Sequence, residues 1–208
     1  MALTLALTPL AAVAIATLRF GVAISDVTRD VASIGQLHPL AGILSSLGIL
    51  LWWTSASLWL FLAAVHRKAR SNQAFRFAVA SGLLSAYLTF DDLFQFHEAL
   101  APRYLGVPEP LAYAALVAVV AAYLFIFRRR LLRSDGAILA LAIALLASAM
   151  ASDLILWRSP WPLGQWARLI EDGLKWSGIV GWCLFCVVRC RAELATGEER
   201  EVSHPPPT

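Results

Sequence analysis

Charge is scarce in this 208-residue chain: 15% of the residues are charged, 59% are hydrophobic, and the mean hydropathy is +0.68. Soluble domains are about one quarter charged and about half apolar, so this composition excludes an ordinary water-soluble globule and points to the bilayer as the chain's main partner. Lysine is almost missing, since Lys68 and Lys175 are the two among 17 basic residues. That arginine bias, with heavy use of Ala and Leu, suggests a bacterial source. The formal charge of +3 is too small for a nucleic-acid surface, and no nucleic-acid partner is expected. Cysteine is limited to Cys183, Cys186 and Cys190, all in one apolar run. An odd number so close together builds no disulfide framework, and small buried hydrophobes are the expected role rather than a redox or metal pair.

Familiar catalytic signatures are missing as well. His97-Glu98-Ala99-Leu100-Ala101 lacks the second histidine of a zincin, which would stand at Ala101. The paired Glu-x-x-His motifs of di-iron bundles are not present. There is no glycine-rich phosphate loop and no Gly-x-Ser-x-Gly nucleophile elbow. No two histidines stand at helical spacing, which argues against zinc hydrolases built on three histidines.

What the chain does have is apolar runs of membrane length, about 20 residues each. Six are expected to be transmembrane helices, at residues 3–24, 39–65, 75–100, 111–127, 137–157 and 165–188, giving an all-α polytopic bundle. The first run lacks the basic leading region of a secretory signal and is expected to be retained. Pro39 suits a helix start for the second. The polar tail, 192–208, ends in Pro205-Pro206-Pro207 and is expected to be disordered. Basic residues cluster in the loops after runs two and four and after run six, among them Arg67, Lys68, Arg128, Arg129, Arg130, Arg189 and Arg191. The opposite loops carry only Arg29, Arg103 and Arg158. Both termini are therefore expected on the cytoplasmic side of a plasma (inner) membrane, with Trp157, Trp161 and Trp166 in an outer aromatic belt.

With that orientation, the intramembrane polar residues gather toward the periplasmic or extracellular side. Asp91, Asp92, Gln95, His97 and Glu98 lie late in run three, Asp153 late in run five, and Arg168, Glu171, Asp172 and Lys175 early in run six. Arg19 approaches from run one. An ionised acid at the centre of a membrane helix costs roughly 2.5–3.5 kcal/mol, so these residues demand partners. Counting helical rise from Leu100 and Gln165 puts Asp91 and Asp92 about 12–14 Å deep and Lys175 about 15 Å deep, which makes Lys175 the natural partner of the aspartate pair. An uninterrupted helix would place Asp91, Gln95 and Glu98 on one face, and Asp92 on another with Ser85 and Ser81. It would leave His97 off both faces.

Six acids (Asp91, Asp92, Glu98, Asp153, Glu171, Asp172) then face three bases (Arg19, Arg168, Lys175). Raised carboxyl pKa values, a bound cation or a water-filled funnel would each resolve the excess. Three functional readings stand. One is a metal-assisted membrane enzyme acting on a lipid-like or membrane-associated substrate, with Asp91, Asp92, Glu171 and Lys175 in acid, base or charge-stabilising roles. Its metal ligands would come from Asp91, His97, Glu98, Asp153, Glu171 and Asp172, an oxygen-rich set that suits Mg, Ca, Mn or Fe better than Zn. The second is an ion- or proton-coupled carrier, which six helices without an internal repeat would need oligomerisation to support. The third is a scaffold or assembly subunit stapled by salt bridges.

Overall fold

The computed structural model describes residues 2–68, 72–131, 136–156 and 165–203, with side chains described for 7–19, 21–67, 73–131, 136–152 and 166–195. All the described regular structure is helical, and it divides into two units, 1–43 and 44–208.

The first unit holds α1 (Ala2–Phe20) and two short helices, α2 (Ile24–Thr28) and α3 (Val31–Ile34). The first expected span closes four residues early because Gly21 takes φ +65°, a left-handed conformation that halts the helix. Pro39 does not open a helix. Residues 39–42 form turns, Gly42 sits at φ +67°, and the next helix starts only at Ile43.

The second unit contains α4 (Ile43–Lys68), α5 (Asn72–Phe94), a π-helical turn (Phe96–Leu100), α6 (Ala101–Leu105), α7 (Glu109–Leu131), α8 (Gly136–Leu156) and α9 (Gln165–Ser203). Three described stretches are long and apolar enough to cross a membrane: Ile43–Arg67, Gln73–Phe94 and Glu109–Leu131. The described apolar stretches of the first and fifth expected spans are shorter, Leu7–Arg19 and Gly136–Ser152. α7 shows how sequence sets its ends. Glu109 and Pro110 occupy its first turn and Arg128, Arg129 and Arg130 its last, matching the proline preference and the helix dipole at each end.

The core is aromatic. Trp59 of α4 is fully buried edge-on against Phe77 of α5, with ring centroids 5.1 Å apart, and Trp52 meets Trp182 of α9 at 5.6 Å. Three buried hydroxyls of this core are satisfied locally. Ser55, Ser81 and Thr89 donate to the carbonyls of Leu51, Phe77 and Ser85, four residues back. Since Ser81 spends its proton that way, Tyr123 donates to Ser81 Oγ at 2.7 Å. Ser85 Oγ accepts the indole N–H of Trp182 at 3.2 Å, and Cys186 Sγ accepts that of Trp59 at 2.9 Å. Cys183, Cys186 and Cys190 are buried and free, as small core residues would be.

Between α8 and α9 the approach is close because the contact residues are small. A Cβ on Gly178 would stand 2.6 Å from Leu146 Cγ, and one on Gly181 3.0 Å from the Cβ of Ala142. At its other end α9 runs on to Ser203, through twelve residues of the tail for which the sequence suggests disorder. The first turn of that extension has a partner set. Glu193 lies 3.3 Å from Arg189, 3.6 Å from His66 of α4 and 3.9 Å from Arg130 of α7, and Arg130 in turn stands over the Phe77 ring.

Candidate functional site: an acid, imidazole and lysine cluster at the end of α5

The expected span 75–100 is not one helix. α5 stops at Phe94, Gln95 adopts a left-handed backbone with φ 49° and ψ 49°, and the chain resumes as a π turn. Gln95 O accepts both the Ala99 N–H at 2.7 Å and the Leu100 N–H at 3.2 Å. Left-handed backbone costs a non-glycine residue roughly 1–2 kcal/mol, and such breaks concentrate where a side chain must be re-aimed.

What is re-aimed is His97. Asp91 receives the backbone N–H of His97 on Oδ1 at 3.2 Å and the ring Nδ1–H on Oδ2 at 2.7 Å. The shared face of Asp91, Gln95 and Glu98, and the exclusion of His97 from it, are both overturned. They assumed helical phase through a residue where the helix ends. Asp91 is buried, and the imidazole lies against Tyr113 of α7 with centroids 5.3 Å apart. Its other nitrogen, Nε2, is 3.4 Å from Glu98 Oε1, and Glu98 is half exposed.

His97 and Glu98 lie beyond the apolar stretch that closes at Phe94. The hydrogen bond to Asp91, with that to Glu98, raises the His97 pKa from 6.5 to about 9, so the imidazole is protonated at neutral pH. Reciprocally, the His97 hydrogen bond lowers the pKa of the Glu98 carboxyl.

Asp92 has a different partner. Lys175 Nζ of α9 donates to Asp92 Oδ1 at 2.5 Å, an ion pair in which the Asp92 side chain is 10% exposed and Lys175 44%. Glu98 and Asp172 are close enough to act electrostatically on the same ammonium. Glu171 is half-buried and Asp172 and Arg168 are exposed on the opening turns of α9. Arg19 closes α1 in the other unit, where it is exposed. Asp153 falls outside the described side chains. Ser85 lies below the cluster and serves Trp182 rather than the acids.

The two central carboxylates are therefore matched one to one with cations from different sources, a local imidazole and a distant ammonium. Among the described residues, no three His, Cys, Asp or Glu side chains stand close enough together to hold a metal ion. Two contributors to this arrangement escape sequence reasoning. Tyr113 sits in a featureless run, and Gly48 of α4 presents its α-carbon toward Asp92 Oδ2. The spacing of small residues in α4 is the signal that could have found Gly48.

The profile of one family matches residues 1–189, nearly the whole chain. The chain belongs to that family, described as a domain of unknown function (DUF8692). No curated protein and no solved structure matches it.

Proposed function

We propose that this chain is a membrane-embedded enzyme acting on a lipid-like or membrane-associated substrate, with His97 as its acid–base group. The observation that carries the reading is the two-point grip of Asp91 on His97, through backbone N–H and ring Nδ1–H. A carboxylate on one nitrogen fixes the imidazole's orientation and leaves Nε2 to exchange a proton with a ligand, in the place where Glu98 now stands. Lys175, partly exposed beside it, would stabilise negative charge that develops on the substrate. Asp91 would be the positioning residue.

The architecture that goes with this reading is six crossings of the plasma (inner) membrane. Both termini are cytoplasmic and the cluster faces the periplasmic or extracellular side, as the distribution of basic residues supports. A metal-assisted version would use His97 Nε2 and Glu98 as ligands, with Asp91 holding the histidine from behind as second-sphere carboxylates do. It needs a third ligand from outside the described side chains, such as Asp153, and would suit Mg, Ca, Mn or Fe.

The test is lipid turnover. Protein reconstituted in vesicles of bacterial lipid extract should change the lipid profile by mass spectrometry, and His97→Gln and Asp91→Asn should abolish the change. A wild-type profile identical to that of His97→Gln vesicles would sink the proposal. Added Mg, Ca, Mn or Fe raising the turnover, with a stoichiometric metal in the purified protein, would select the metal-assisted version.

A second reading, a structural staple, is favoured by the one-to-one matching of Asp91 and Asp92 with cations. It expects the neutral double swap Asp92→Asn with Lys175→Met to preserve all function. Proton-linked flux in proteoliposomes, lost on Lys175→Ala, would instead identify a carrier.

A further inference from the structure

The end of the bundle away from the cluster carries its cations in two sets. α4, α5, α7 and α9 meet there, since Glu193 of α9 lies against His66 of α4 and Arg130 of α7, and Arg130 stands over Phe77 of α5. Arg130 and Arg189 turn inward and share the Glu193 carboxylate. Arg67, Arg76, Arg128, Arg129 and Arg191 stay exposed, and none of them is in an ion pair among the described residues. Glu193 is the acid at this end whose side chain is described, and two guanidinium groups already claim it. The outward five therefore form a positive surface that Glu193 does not neutralise.

The residues next to this surface decide what meets it. Phe61 of α4 is 63% exposed, and Phe125 and Ile126 of α7 are each 68% exposed, all on stretches long and apolar enough to cross a membrane. Large apolar side chains so exposed on a spanning helix are matched by acyl chains, which a soluble anion does not have. Arg128 and Arg129 follow Phe125 by about 4.5 and 6 Å of helical rise. The head-group layer on each side of the hydrocarbon is about 5–8 Å thick, so both arginines fall at phosphate level where the apolar surface ends. Arg128 is also pre-set. Its Cζ stands 4.3 Å from the centroid of the Phe125 ring, which holds the guanidinium at that boundary with its N–H fork ready for an oxyanion.

We propose that this surface binds anionic phospholipids in preference to zwitterionic ones. Arg128 and Arg129 donate to the phosphodiester oxygens, and Arg67, Arg76 and Arg191 add charge around them. The inference is independent of the chemistry at His97.

The test is a lipid titration of the full-length protein in a neutral detergent, read as the unfolding midpoint against lipid concentration. Phosphatidylglycerol should reach half of its effect at a lower concentration than phosphatidylcholine with the same chains. Salt at about 1 M should erase that difference by shortening the screening length to about 3 Å. An arginine at an anionic lipid surface contributes about fivefold in affinity, so Arg128→Gln with Arg129→Gln should raise the phosphatidylglycerol half-point about 25-fold. Arg67→Gln alone should raise it about fivefold, and carries the test should the double variant fail to fold. Arg103→Gln, on α6 at the opposite end of the bundle, should leave it unchanged. Equal half-points for the two lipids, a preference that survives high salt, stabilisation by free glycerol phosphate equal to that by the lipid, or a loss in Arg103→Gln matching that in the double variant would each overturn the proposal.

Discussion

Removing the Lys175 ammonium should cost far more than removing both members of its pair. In Lys175→Met, Asp92 keeps its charge and its nine-tenths burial but loses its only described partner. Stranding one member of a fully buried pair costs about 3–5 kcal/mol, whereas a surface pair is worth about 0–1. With Lys175 44% exposed, part of its charge is already shared with solvent, and a value of about 2–3 kcal/mol follows. Asp92→Asn strands only the exposed partner, which can turn toward water, and should cost about 1 kcal/mol. The double variant Asp92→Asn with Lys175→Met buries no charge and should lie within about 1 kcal/mol of wild type. For a chain of this size those losses are about 4–12 °C, 2–4 °C and at most 4 °C in unfolding midpoint. Thermal unfolding in one detergent, monitored by circular dichroism, measures all three. Additive losses, with the double variant worse than Lys175→Met, would refute the assignment of the pair as a coupled unit.

Three further outcomes are expected. His97 has a folded pKa of about 9 against an ordinary 6.5, so its pairing stabilises fully below pH 6.5 and is lost as pH rises through 9. The wild-type unfolding midpoint should therefore drop more between pH 6.5 and 10 than that of His97→Gln, and parallel curves would contradict the Asp91–His97 pair. Gly178→Ala should cost about 1–3 kcal/mol, because the new methyl meets Leu146 including its backbone nitrogen at 3.0 Å. Gly173→Ala on the same helix meets nothing within 4 Å and should be neutral or slightly stabilising in the same unfolding assay. Glu193→Ala should cost about 1–2 kcal/mol by removing the carboxylate that Arg130 and Arg189 face, and so should ending the chain at Arg191; a truncated protein as stable as the full chain would exclude the role given to Glu193.

The features that could be read from sequence are those that depend on composition and on regular helical rise. The three described helices of membrane length lie where the second, third and fourth apolar runs are, because twenty apolar residues admit few alternatives. Depth counting put Lys175 opposite the aspartate pair, since 1.5 Å per residue holds along α9 and along α5 as far as Phe94. The same arithmetic failed one turn later. Nothing about Gln95 announces a left-handed residue, and neither glycine nor proline marks the break. The phase of every later side chain, His97 above all, was wrong as a result. The helical continuation past Arg191 is not legible for a related reason: the composition there is polar, but Glu193 lies against His66 of α4 and the Arg130 guanidinium of α7, both remote in sequence. Pairings across helices are what local patterns do not encode.

The two cationic partners of the site also differ in when they become available. Asp91 and His97 are six residues apart, so their pair can form as soon as one segment leaves the ribosome. Asp92 waits for a lysine 83 residues downstream. At synthesis rates of about 5–20 residues per second, α5 would spend roughly 4–17 s in the membrane or its insertion machinery with that carboxylate uncompensated. During that interval the segment bears an insertion penalty of up to about 2.5–3.5 kcal/mol that the finished protein does not. Arrival of α9 is therefore the step that locks α5 in place. A nascent chain stopped short of Lys175 should leave α5 less firmly inserted than one that includes it.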